Sequence, residues 1–514
     1  MPSLRQHIFP RLLATALACA TLLPSLVAPA RAQQALQLPT LGDGASITTG
    51  EERRLGDRII RSLYRDPDYL EDAPLQEYVT DIWQHLLTAA RKRGELSPEL
   101  DERFAWEILL GRDRSVNAFA LPGGYLGVHL GLIGVVGTRD ELASVLAHEL
   151  SHVTQRHIAR LIAQQSRQTP LMIGSLILGA LAAAKSPNVG QALMVGGQAL
   201  AVQNQLNFSR DMEREADRMG YSLMAPGGFS PQGMAGMFGK LQQANRLNDN
   251  GSWPYLRSHP LTTERMADMQ ARQPPGQSSA QPAPSLEHGM MAARARVLGR
   301  PGVDVLRQWV QLPQTSGFQA QPQAQRVAAL YAAVLAQVQL QNWEPARALL
   351  PALRQALGND AAGLRQTALL AAELELAAGQ PQAALQALSS MVEKADQPSR
   401  PLLLLRTQIL LRLGQAQDMA GPLQTWVALH PQDAAAWQAL AQVWQAQGQG
   451  LRALRAEAEA QAAHYDYAAA RDRFRAGQEL ARRSNAPADH IEASIIDIRL
   501  RAMEDLLREQ AAER

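Results

Sequence analysis

The last third of the chain repeats itself, and a repeat restricts the fold more than any single motif does. "NWEPARALL", "GQPQAALQAL", "GQAQDMAGPL" and "GQGLRALRAEA" align on Ala346, Ala384, Met419 and Ala453, spaced 38, 35 and 34 residues apart. Between them lie Ala/Leu/Gln runs with helical periodicity, so each period holds two helices. Units this small cannot bury an apolar face alone and must stack on their neighbours in a line. Small residues at the aligned positions let paired helices approach closely, and large ones fill the groove between them.

A period near 34 residues built from two helices is the tetratricopeptide signature. The last full unit shows it best, with Trp437, Leu440, Ala441 and Trp444 on the first helix, Gly448 at the turn and Ala453 on the second. Met419 stands where Ala is expected, which leaves the number of units open. The amphipathic segment 490–510 reads as a terminal capping helix. A chain of 514 residues is too long for one core, so further domains must precede the repeats.

The first residues read as a secretory signal: Arg5 and Arg11, an apolar run from Leu12 to Val27, and an Ala30-Arg31-Ala32 cleavage site. Cleavage after Ala32 would leave 47 basic residues against 48 acidic ones. Such near-neutrality argues against a nucleic-acid partner. It would also remove Cys19, the sole cysteine, which suits an oxidising bacterial periplasm.

Residues 148–152, His-Glu-Leu-Ser-His, match H-E-x-x-H. On a helix, positions i and i+4 share a face, so both imidazoles can reach one Zn²⁺ ion. Glu149 follows at the metal's flank, where it can take a proton from water. Leu142, Val145, Leu146, Leu150 and Val153 supply the apolar face of that helix. Gln155 and Ile158 stand where a third-histidine motif would need Gly and His. His157, five residues after His152, falls off the ligand face and reads as a packing or surface residue. Further on, "FSRDMEREADRMG" (208–220) offers Glu213 and Asp217 on one helical face, with Glu215 nearly opposite. Glu213 can ligate the metal, and Asp217 can orient a ligand histidine through its free N–H.

Four stretches, "SVNAFALPGGYLGVHLGLI" (115–133), "LAHELSHVTQRH" (146–157), "FSRDMEREADRMG" (208–220) and "LRSHPLTTERM" (256–266), together resemble the gluzincin metallopeptidases of the HtpX and CAAX-protease type. With the signal segment and the repeats, the chain is most similar to their periplasmic branch, the β-barrel assembly-enhancing proteases. The resemblance implies that His148, His152 and Glu213 bind one zinc ion, that Glu149 is the general base, and that Asp217 lies behind a ligand. It implies that His259 is a further active-site residue and that Arg265 lies near the reacting carbonyl. Two roles are open for His259: a latch on the fourth zinc position, or a stabiliser of the tetrahedral oxyanion.

The expected fold is mainly α with a small β-sheet: a gluzincin-type α+β metalloprotease domain, then an all-α tetratricopeptide solenoid. The expected divisions are a signal at 1–32, the protease domain at 33–269, a Pro/Ser/Gln linker at 270–285, connecting helices at 286–325 and repeats at 326–514. Asn117 to Leu121 and Tyr125 to His129 read as a hairpin around Pro122-Gly123-Gly124. The resemblance implies that its edge, with Asn117, Ala118 and Phe119, holds substrate backbone by strand addition. The apolar run Leu171–Ala184 within 169–206 is too short to span a bilayer and reads as a buried or interfacial hairpin, which leaves a peripheral membrane contact open. The expected function is hydrolysis of misfolded or stalled outer-membrane proteins, with the repeats docking substrates or the outer-membrane assembly machinery. The alternative is a chaperone or assembly factor that works mainly by binding.

Overall fold

The computed structural model describes residues 47–164, 209–246, 252–272, 285–392, 399–483 and 487–512. The expected signal, the apolar insert 169–206 and most of the linker lie outside these. After an opening helix α1 (Thr49–Tyr64) come the short β1 (Tyr69–Leu70), the long α2 (Ala73–Arg93) and α3 (Pro98–Arg103). Strands β2 (Glu107–Gly111), β3 (Ala118–Leu121) and β4 (Tyr125–His129) follow. The sheet order is β1-β2-β4-β3. Strands β2 and β4 run parallel, while β3 and β4 form the antiparallel hairpin expected around Pro122-Gly123-Gly124. Both glycines have left-handed φ values, 77° and 85°, which a tight reversal between strands requires. The hairpin leaves β3 at the edge of the sheet.

Next come α4 (Leu130–Val135), α5 (Arg139–Thr154) and α6 (His157–Gln164), then α7 (Arg210–Met224) and α8 (Gln232–Arg246). Helix α5 starts at Thr138, whose side chain accepts from Glu141 N. It packs against β3, α2, α7 and α8 and is buried from Glu141 through Thr154, so it is the central helix of this region. Helix α7 can lie close to it because Gly220 faces it. A Cβ there would stand 3.0 Å from His148 N. Short helices α9 (Tyr255–Ser258) and α10 (Thr263–Ala271) complete the first half.

Helix α11 (Leu286–Leu298) packs on α2 and α4 and opens the helical half. Helices Gln323–Gln339 and Trp343–Leu357, Ala361–Ala377 and Pro381–Ala387, Arg400–Arg412 and Ala420–Leu429, and Ala434–Ala446 and Gly450–Ala463 follow in pairs. The aligned residues Ala346, Ala384, Met419 and Ala453 are all buried. Between the helices of each pair one residue is left-handed: Gln341, Gly379, Gly414 and Gly448. These keep the same spacing as the aligned residues, with glutamine accepting in the first turn the φ that glycine supplies in the others. Among the described residues no helix is long and apolar enough to cross a membrane.

The two halves share one apolar core, which runs from Leu70 to Leu374. An ion-pair network crosses the same boundary. Arg294 of α11 is bidentate on Asp72, at 2.8 and 2.7 Å, and on Glu373, at 2.9 and 2.8 Å. Asp72 also caps α2 by accepting from Leu75 N. Arg294→Met would leave two carboxylates without their cation in a buried site. We expect a loss of about 3–5 kcal/mol in urea unfolding, the range seen when one partner of a buried pair is removed.

Candidate metal centre

His148 and His152 sit one turn apart on α5, and Glu213 faces them from α7. His259, just after α9, closes the fourth side. One ligand atom from each of these four buried residues lies within 4.8 Å of the others. His148 Nε2 is 3.0 Å from His152 Nε2 and 3.3 Å from His259 Nδ1. His259 Nδ1 is 3.0 Å from Glu213 Oε1. The resemblance-based set is thus brought together, and His259 joins it at ligand range.

Each histidine of the motif is held from behind. Asp217 Oδ1 lies 2.9 Å from His148 Nδ1, on the side away from the cluster. His157 Nδ1 lies 2.9 Å from His152 Nδ1 in the same way. With their outer nitrogens so engaged, both Nε2 atoms point inward at each other, an arrangement that needs a proton or a cation between them. Two imidazoles and a carboxylate are a zinc donor set, and the residues present therefore fit that ion.

Burial alone would lower His148, but the Asp217 and Glu213 carboxylates outweigh it and raise the imidazole to about 10 in the metal-free cluster. His152 is pushed well down, first by burial and then by its charged neighbour His148. Glu213 is lowered well below the usual range because His259 and His148 outweigh the cost of its burial. Glu149 is fully buried, and burial raises its carboxyl. Its Oε2 accepts from Ala120 N at 2.9 Å, and its Oε1 lies 3.4 Å from His259 Nε2.

Arg265 is buried in α10 and grips Asp217 with two nitrogens, at 2.6 and 2.8 Å. Its third nitrogen lies 2.9 Å from Pro260 O and 2.8 Å from Glu213 Oε2. Every arm of the guanidinium is therefore occupied by a partner within the protein. Burial alone would raise Asp217, but Arg265 and His148 hold it below its usual range.

On β3, Ala118 is buried and the end of the Phe119 ring covers Gly127, where a Cβ would come within 2.2 Å of it. Asn117 is buried, and its main-chain oxygen accepts from His129 N.

His157 is the residue the sequence undervalued. The helical wheel sets it off the ligand face, but the helix does not continue. Helix α5 ends at Thr154, and Arg156 takes a left-handed φ of 51°. That break returns His157 to His152, fully buried, where burial lowers its imidazole to about 4. Glu215 points away from the cluster, as expected, and meets His157 Nε2 there at 3.1 Å. Gln155-Arg156 carries no glycine or proline that would have signalled the break.

Residues 76–273 match the model of peptidase family M48. The chain is 30% identical to the β-barrel assembly-enhancing protease of Escherichia coli over 458 residues, 87% of this chain and 88% of that one. A Vibrio cholerae protein of the same description is 35% identical over 282 residues, 54% of this chain and 55% of its own. The mitochondrial metalloendopeptidase OMA1 of Saccharomyces cerevisiae is 28% identical over 226 residues, 42% of this chain and 62% of its own.

Purified protein is expected to hold about one zinc per chain, measured by atomic absorption. Glu213→Gln should lose most of it, because an amide is a poor zinc ligand. Glu215→Gln should keep it, since the amide oxygen can still accept from His157. Retention by the first variant and loss by the second would reverse the two assignments.

Proposed function

The chain belongs to peptidase family M48, and from that premise we propose that it is a zinc endopeptidase of the bacterial periplasm acting on misfolded or stalled outer-membrane proteins. The observation that carries this reading is a juxtaposition. The His148, His152 and Glu213 group lies beside edge strand β3, and Glu149 bridges them by accepting from Ala120 N. The periplasmic address is read from residues 1–32, and the substrate class from what the bacterial relatives are called.

His148, His152 and Glu213 would hold the zinc, which when bound polarises a peptide carbonyl and makes water acidic enough to lose a proton near neutral pH. Glu149 takes that proton and hands it to the leaving amine. Its burial favours this, because a raised carboxyl holds a proton more readily at working pH. A substrate strand added to β3 alongside Asn117, Ala118 and Phe119 is recognised through its backbone. Such binding asks little of side chains and suits unfolded polypeptide. Asp217 orients His148, and Arg265 holds Asp217 in its ionised form and pairs with Glu213. The paired helices after residue 326 would dock substrates or the outer-membrane assembly machinery.

His259 fits the latch better than the oxyanion role. Its ring is stacked on Tyr255 at 4.5 Å, and its two nitrogens face the ligand group and Glu149. There it takes the place that substrate and water need, so the enzyme stays latent until the segment around Ser258-His259-Pro260 moves.

Glu149→Gln should abolish cleavage of an unfolded protein while zinc stays bound. Mass spectrometry of what this variant retains in periplasm would identify the substrates. Full function of that variant in cells would instead favour the chaperone reading. His259→Ala should raise cleavage of an unfolded protein with zinc retained. A fall of roughly 100-fold would assign His259 to the oxyanion.

A further inference from the structure

A chain of polar contacts runs outward from His152 to the surface of the protein. His152 Nδ1 meets His157 Nδ1 at 2.9 Å, and His157 Nε2 meets Glu215 Oε2 at 3.1 Å. Arg160 Nη1 donates to the same Glu215 oxygen at 2.8 Å. His157 is fully buried, whereas the Glu215 and Arg160 side chains are 37% and 46% exposed.

For two neutral rings, hydrogen-bond chemistry allows one assignment. An ionised carboxylate only accepts, so His157 Nε2 carries its hydrogen toward Glu215. A neutral imidazole has one such hydrogen, which leaves His157 Nδ1 as an acceptor. His152 must then donate from Nδ1, and its Nε2 presents a bare lone pair to the cluster. The opposite assignment would set a bare His157 Nε2 against Glu215, acceptor to acceptor, and turn an N–H of His152 into the ligand group.

The backbone is bent to build this contact. Arg156 adopts its left-handed conformation only at some steric cost, and two contacts hold it there: Nε to Glu52 Oε2 at 2.9 Å and Nη2 to Ile47 O at 2.6 Å. Without that bend His157 would continue the helix away from His152.

We propose that His157, backed by Glu215, is a positioning residue that locks the ring orientation and tautomer of His152 for metal binding. His148 receives the same service directly from Asp217. The two motif histidines are thus supported by different devices, one carboxylate at first hand and one through an intervening imidazole. This inference rests on the zinc reading above.

The test is zinc affinity by chelator competition, together with the visible spectrum of the cobalt-substituted protein. His157→Phe keeps the ring volume and removes the acceptor. It should weaken zinc binding about 10–100-fold and alter the cobalt bands, the effect expected when a partner behind a ligand is lost. His157→Asn places an amide oxygen near the position of Nδ1 and should recover most of the affinity. Unchanged affinity in His157→Phe would overturn the proposal. So would a lower melting temperature of metal-free His157→Phe with zinc affinity intact, which would make the residue a packing element only. Absence of tight zinc binding in the unmutated protein would overturn the metal reading itself, and this inference with it.

Discussion

A helix that carries two histidines and a glutamate through the middle of a protein is stable only if their polar atoms find partners. Helix α5 is in that position, with His148, Glu149 and His152 all buried. Its neighbours are arranged to meet the requirement. Helix α7 supplies Glu213 and Asp217, α10 supplies Arg265, strand β3 offers Ala120 N and the α5–α6 corner offers His157. Removing any one of them would leave a buried charge or lone pair exposed to apolar surroundings.

The same requirement explains why the cluster is layered. The inner atoms face one another at the distances expected around a small cation, and the outer atoms are anchored to the fold. Arg265 shows the logic most clearly. One buried cation holds two carboxylates, of which Glu213 faces the metal site and Asp217 braces His148. An arginine serves better than a lysine here, because its planar fork can bind Asp217 with two nitrogens and still reach Pro260 O and Glu213 with the third.

The helical half is tied into this arrangement by its first helices. Helix α11 packs on α2 and α4, and Arg294 joins the N-cap of α2 to Glu373 further along the stack. Helix α2 also packs on α5, so the first helices of the stack and the metal-site helix share a packed neighbour.

The sequence alone determined what depends on spacing within one element. His148 and His152 are four apart, Glu213 and Asp217 are four apart, and the helical period is fixed, so each pair shares a face before any packing is known. The period of the helix pairs and the β3–β4 hairpin were legible for the same reason. What the tertiary structure decided depends on where a regular element stops and which elements meet. The left-handed turn at Arg156 is held by Glu52 and Ile47, about a hundred residues away, and nothing local foretells it. It carried His157 from the wrong face of a wheel to the back of His152. Arg265 likewise could be assigned to the site by resemblance, but only the packing of α10 on α7 showed that Asp217 and Glu213 engage its guanidinium. Periodicity is a property of the chain, whereas the pairing of buried charges is a property of the core that the chain builds.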